Sequence, residues 1–160
     1  IMPSWLLHGF ARLMARLDDP RRPAFRAPEK PGHPAAMRST LLTHDPQRYA
    51  DEAWWAEARP GLAMGAPSWG WLDQALASLR LLEAPGVLEG ITQPVLIVAT
   101  TRDRLVSYRA IERAARRIPR ARLIAFGAEA RHEILREADP VRDKAIAAID
   151  RFLDETAQAG

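Results

Sequence analysis

Two residues in this chain have the types and the placement to handle a proton together. Asp103 follows the apolar run Pro94-Val-Leu-Ile-Val-Ala99, and His132 follows the run Ala121-Arg-Leu-Ile-Ala-Phe126. A carboxylate beside an imidazole fixes its tautomer and stabilises the imidazolium when it forms. An imidazole held in this way takes a proton from a nucleophile and returns it to a leaving group. Singly, each residue has a plainer reading, a turn-forming Asp and a histidine in a surface loop. Together, about thirty residues apart and at matching run ends, they read as catalytic acid and base.

The elements that must position them follow from pattern. Val95 to Ala99 is continuously apolar, as in a parallel strand buried on both faces. Ser107 can cap a helix with Ile111, Ala114, Ala115 and Ile118 inward. A strand at 122–126 comes next. Asp139-Pro140 then opens a last helix with Val141, Ala145, Ile149, Phe152 and Leu153 inward. Strand, helix, strand, helix at this spacing is a parallel α/β unit. Acids and ligand groups in such sheets collect at the carboxyl edge, where Asp103 lies.

The first half is helical. Ser4 can cap a helix to about Leu17, with Leu6, Leu7, Phe10, Leu13, Met14 and Leu17 on one face. That face either packs on its own domain or serves as a lid toward lipid. Residues 18–45, with Pro20, Pro23, Pro28, Pro31 and Pro34, form an extended surface excursion that excludes a long helix. Asp45-Pro46 starts a helix to about Ala58. After the link Gly61 to Pro67, Ser68 caps a helix to about Glu83 with Trp69, Leu72, Leu76, Leu79 and Leu82 as its buried stripe, ended by Ala84-Pro85-Gly86.

A triad needs a nucleophile, and its elbow is Gly-x-Ser-x-Gly between a strand and a helix. The serines are Ser4, Ser39, Ser68, Ser78 and Ser107. Only Ala66-Pro-Ser68-Trp-Gly70 comes near the motif, with its first Gly replaced and no strand before it, so Ser68 reads as a helix cap. His132-Glu133 begins an HExxH string, but position 136 is Arg, which rejects a metal site. His8, His33 and His44 have no acidic partner at useful spacing and read as surface or cap residues. Trp54, Trp55, Trp69 and Trp71 are either core or the wall of an acyl-binding site.

Composition sets outer limits. At 160 residues, 48% hydrophobic and 27% charged, the chain is an ordinary globular domain. Absence of cysteine excludes disulfides, a thiol nucleophile and Cys-based metal sites, and fits a reducing compartment. The pI of 9.9 comes from arginine, the only lysines being Lys30 and Lys144, so it does not argue for nucleic acid. No apolar run reaches the ~20 residues that span a bilayer. Residues 5–17 are interrupted by Arg12 and Arg16 and read as neither signal peptide nor anchor.

Several segments in combination resemble the bacterial lysophospholipase L2 and monoacylglycerol lipase group of α/β-hydrolases. They are Leu42-Thr-His-Asp-Pro-Gln-Arg-Tyr49, Gly65-Ala-Pro-Ser-Trp-Gly-Trp-Leu72, Pro94-Val-Leu-Ile97, Asp103-Arg-Leu-Val106 and Arg131-His-Glu-Ile-Leu135, covering roughly residues 40–155. The chain departs from the group at Thr101 and Glu129, where glycine is usual. The resemblance implies an α/β fold: the C-terminal part of an α/β-hydrolase parallel sheet, two strands with flanking helices, plus a helical cap. It implies a cap over residues 1–66 and core over 67–160, with Asp103 the triad acid and His132 the base. Central strands, oxyanion loop and the Gly-x-Ser-x-Gly elbow would lie ahead of this chain.

The expected parent is therefore a serine ester hydrolase of lysophospholipids or monoacylglycerols, needing no cofactor or metal. Its substrate is a lipid-like ester that Trp54, Trp55, Trp69 and Trp71 help bind. Its setting is cytoplasmic with transient membrane-surface contact and no nucleic acid. This chain alone is expected to be inactive. The alternatives are an inactive truncated fragment or interaction module, or a hydrolase of other specificity, such as a peptidase or haloalkane-type enzyme.

Overall fold

The structure, a computed structural model, describes residues 4–24, 36–62 and 65–157. Its elements are α1 (Ser4–Leu17), α2 (Ala36–Leu42), α3 (Pro46–Ala58), α4 (Trp69–Glu83), β1 (Val95–Thr100), α5 (Tyr108–Arg117), β2 (Ala121–Phe126) and α6 (Asp139–Ala157), with single 3-10 turns at Pro60–Leu62 and Ile134–Arg136. Three helices start where a side-chain oxygen satisfies their free N–H groups. Asp45 accepts from Gln47 and Arg48, Ser68 from Trp71, and Ser107 from Ala110. Each such cap is worth about 1 kcal/mol.

The two strands pair in parallel, in register from Val95 opposite Ala121 to Thr100 opposite Phe126. Helix α5 makes the crossover and packs on both strands, while α6 lies against β1. The core gathers at the carboxyl end of the sheet: Phe126, Ala130, Ile134 and Ala145 are buried, with Val98, Ile124 and Val141 packed against them. Phe126 closes β2 and Ala130 and Ile134 flank His132, so the best-packed part of the molecule supports the candidate site.

Helices α1 and α4 form a second packed unit. The chain leaving α1 is laced to the start of α4. Ala24 N–H donates to Pro67 O at 2.9 Å, Trp69 N–H to Arg22 O at 3.1 Å and Gly70 N–H to Pro20 O at 2.8 Å. Gly70 is required there, since a Cβ would meet Pro20 O at 3.0 Å and Pro20 Cβ at 3.1 Å.

Several expectations are corrected. Residues 18–45 read as an extended excursion without a long helix, yet Ala36–Leu42 forms a short one, because its seven residues contain no proline. Pro28, Pro31, Pro34 and His33 lie outside the described residues. Strand β1 is only half-buried over Val95–Val98, because it has one paired neighbour among the described residues. Of the two readings of the α1 stripe, packing on its own domain does not hold for Leu6, Phe10, Leu13 and Leu17, which are exposed; Leu7 and Met14 are half-buried, and His8 and Ala11 are buried. Leu79 and Leu82 of α4 and Leu153 of α6 are likewise exposed rather than inward. Periodicity reports that a helix has an apolar face; it does not report what covers that face.

Candidate active site

The strand ends are locked to each other before either functional residue is reached. Thr101 N–H donates to Phe126 O at 2.9 Å. The buried Thr100 hydroxyl lies 3.0 Å from Gly127 O and 2.9 Å from Ala130 O, and accepts the Arg102 N–H at 3.1 Å. The loop after β1 and the loop after β2 therefore leave the sheet side by side.

Asp103 then folds its carboxylate back on its own loop. Oδ1 accepts the N–H groups of Leu105 at 2.8 Å and Val106 at 3.0 Å. Oδ2 lies 2.8 Å from His132 Nδ1. The Asp103 side chain is 6% exposed and the His132 ring 34%. Burial alone would raise the carboxyl. The N–H of Val106, the ring of His132 and the N–H of Leu105 outweigh it and hold the group below the usual carboxylate range. An ionised acid thus faces one ring nitrogen, while the other lies on the opposite edge of a ring that solvent reaches. That arrangement can orient an imidazole and stabilise its cation.

The loop carrying His132 is fastened to the end of α2 and to the segment that joins it to α3. The backbone N–H groups of His132 and Glu133 donate to Leu41 O at 3.3 Å and Leu42 O at 2.8 Å. Glu137, 1% exposed, accepts the Arg131 N–H at 2.7 Å and the His44 N–H at 3.0 Å, and its Oε1 lies 3.0 Å from His44 Nδ1. Thr43 Oγ1 donates to Arg136 O at 2.7 Å, and Arg131 donates to Thr43 O at 2.8 Å. Arg48 donates to Glu137 O, and Arg136 to Arg48 O at 2.6 Å.

Glu137 was missed in the sequence because its partners lie across the chain. His44, read as partnerless, is joined to it. His8, read the same way, is buried with Nε2 2.9 Å from Asp73 Oδ1. The one available signal was an acid five residues after His132 and three after the apolar Ile134.

The other candidates are spread out. A cleft of about 510 Å³ lies beside Asp103, lined in part by His44, Arg102, Arg104 and Arg131; none of the four tryptophans lines it. Trp54 and Trp55 stack edge to face on α3 with centroids 4.7 Å apart, and Trp69 packs on Phe10 at 5.3 Å. Trp54, Trp55 and Trp71 are half exposed or more, which rules out core for those three. Ser68 and Ser107 cap helices, and the Ser78 hydroxyl donates to Gln74 O at 2.9 Å. Among the described residues no group of acids and histidines is arranged to hold a metal, and no helix is long and apolar enough to cross a membrane.

Three comparisons place this geometry among known proteins. Residues 2–139 match the family described as serine aminopeptidase, S33. The probable lysophospholipase L2 of Haemophilus influenzae is 28% identical over 95 residues, 59% of this chain and 29% of that protein. A soluble variant of the monoglyceride lipase from Saccharomyces cerevisiae, solved with a substrate analog, superposes with a TM-score of 0.65 at 18% identity, over 93% of this chain and 48% of that one. The chain thus spans less than a third of the first relative and about half of the second. At such low identity the superposition speaks for the fold, an α/β-hydrolase. With that fold beneath a match running through most of its length, the chain belongs to the serine aminopeptidase S33 family of α/β-hydrolases.

Proposed function

We propose that the whole protein is a serine ester hydrolase of lysophospholipids or monoacylglycerols, in which Asp103 orients His132. The observation that carries this reading is the 2.8 Å contact between Asp103 Oδ2 and His132 Nδ1, made by a carboxylate already held by two backbone N–H groups. The names of the two relatives support the substrate class.

In this mechanism a serine from the remainder of the protein attacks the ester carbonyl and its proton passes to His132 Nε2. The tetrahedral intermediate collapses, the C–O bond to glycerol breaks, and His132 returns the proton to the leaving alkoxide. Water repeats the cycle on the acyl-enzyme, releasing the fatty acid. Residues 1–66 act as the cap and 67–160 as the C-terminal core. Trp54, Trp55, Trp69 and Trp71 offer apolar surface to the acyl chain, and the exposure of Trp54, Trp55 and Trp71 in this chain supports a role for those three outside its own core, while Trp69 packs on Phe10.

The test is hydrolysis of a lysophospholipid and a monoacylglycerol by the full-length gene product. His132→Ala should abolish both, and undiminished turnover in that variant would sink the reading. The 160-residue chain by itself should not turn over a p-nitrophenyl ester. A second reading, peptide hydrolysis, is favoured by the family description. Faster cleavage of an aminoacyl amide than of either lipid ester would select it.

A further inference from the structure

The cleft beside Asp103 is cationic. Arg102, Arg104 and Arg131 line it, and among the described residues the ion-paired arginines are others. The Arg131 guanidinium donates only to main-chain oxygens, at Thr43 and Ser39. Arginines nearby are matched by acids instead: Arg48 by Asp139 and Arg136 by Glu133. The one carboxylate in the lining, Asp103, is already committed to His132, Leu105 and Val106. The remaining titratable member, His44, is directed at Glu137. Three arginines with no acid partner among the described residues therefore line about 510 Å³ of space, a volume that suits a small ligand or a part of one, and Arg131 is held in place by main-chain oxygens.

Guanidinium groups pair with phosphate oxygens in a planar fork, and a cleft with one sign of charge concentrates counter-ions. Such a lining disfavours an acyl chain, which gains nothing from charged walls. We propose that this cleft binds the phosphate of a glycerophospholipid head group, so that the glycerol joined to it presents its ester to the neighbouring His132. The proposal rests on the ester-hydrolase reading for its substrate and adds the basis of a preference: a phosphate-bearing lysolipid over a neutral monoacylglycerol.

The experiment follows the arginine Nε–H signals of the 160-residue chain by NMR at fixed ionic strength. Three probes are titrated: glycerophosphocholine, glycerol and inorganic phosphate. Saturable shifts at Arg102, Arg104 and Arg131 are expected with glycerophosphocholine and not with glycerol. In the double variant Arg102→Gln, Arg104→Gln the affinity should fall by about tenfold or more. Both side chains belong to exposed residues, so the melting temperature of that variant should match the wild type.

No saturation with glycerophosphocholine, or equal affinity in the double variant, overturns the proposal. Saturation by inorganic phosphate alone also overturns it and identifies a free-phosphate site. Failure here with His132-dependent lipid hydrolysis intact removes only this cleft. Head-group binding without any such hydrolysis removes only the ester-hydrolase reading.

Discussion

The carboxylate of Glu137 accepts the backbone N–H of Arg131 at 2.7 Å, one residue before His132. The same carboxylate accepts the His44 N–H at 3.0 Å. One buried acid therefore holds the front of the histidine loop and the entrance to α3 at once. The acid–base pair depends on this clamp as well as on Asp103, because a histidine can be held in one orientation only if its backbone is held too.

Replacing Glu137 by Ala takes the acceptor from the Arg131 and His44 N–H groups, both in part-buried hydrogen bonds. Each orphaned group costs about 1–3 kcal/mol, so a loss of about 2–4 kcal/mol is expected in urea unfolding of the 160-residue chain. Glu137→Gln, which keeps an acceptor oxygen, should lose less. Equal losses in both variants would show that packing rather than hydrogen bonding holds the loop.

Asp103→Asn should separate orientation from folding. Asparagine retains an oxygen for the Leu105 and Val106 N–H groups, so the loop should survive. It cannot stabilise an imidazolium as a carboxylate does, and in comparable triads this change lowers kcat on the order of 10⁴-fold. The expected outcome in the full-length protein is a fall of that size in kcat with a melting temperature near wild type. Unchanged kcat would remove Asp103 from the mechanism.

The depressed Asp103 carboxyl also predicts a pH dependence of stability. Its folded pKa lies below its unfolded one, about 3.9 for a free Asp side chain. The unfolded chain therefore binds the proton more readily. The stabilisation is complete above the unfolded value and is lost as pH falls through the folded value. Between about pH 5 and pH 3 the wild-type melting temperature should drop more than that of Asp103→Asn. Parallel curves would show that this carboxyl is not coupled to folding.

Thr100→Val tests the knot at the strand ends. Valine keeps the shape but removes the contacts to Gly127 O, Ala130 O and Arg102 N–H. A loss of about 1–3 kcal/mol is expected by urea unfolding, since buried polar groups are left without partners. A nearly neutral result would mean that water reaches those carbonyls.

Much of this architecture was legible in the residues, and the reason is locality. Asp45, Ser68 and Ser107 cap their helices through bonds to residues two or three positions away, so the signal sits in one short window. The strands at 95 and 121 and the acid and base behind them share that property, because a parallel α/β unit sends both strand ends to one edge. The apolar faces of α1 and α4 were legible as faces but not as to what they meet. The contacts of Glu137 with His44 and of His8 with Asp73 were not legible. These contacts join positions with no common period, and the two histidines read as surface or cap residues. Helix α2 was hidden for a different reason, since the prolines before it dominated the reading of the whole segment.

The clamp around His132 also fixes an order of events. Thr43 and Arg136 are 93 positions apart, whereas Asp103 and His132 are separated by 29. Closing the longer loop costs about 1 kcal/mol more in chain entropy when neither is helped by other contacts. Acid should therefore meet base before the clamp shuts. During synthesis the contrast is sharper, because residues 39–49 are made long before their partners exist. Pulse-labelled hydrogen exchange should find the Thr101 amide, which pairs the strand ends, protected earlier than the Glu133 amide. The histidine loop would then be the last part of this unit to become rigid, and the first to loosen.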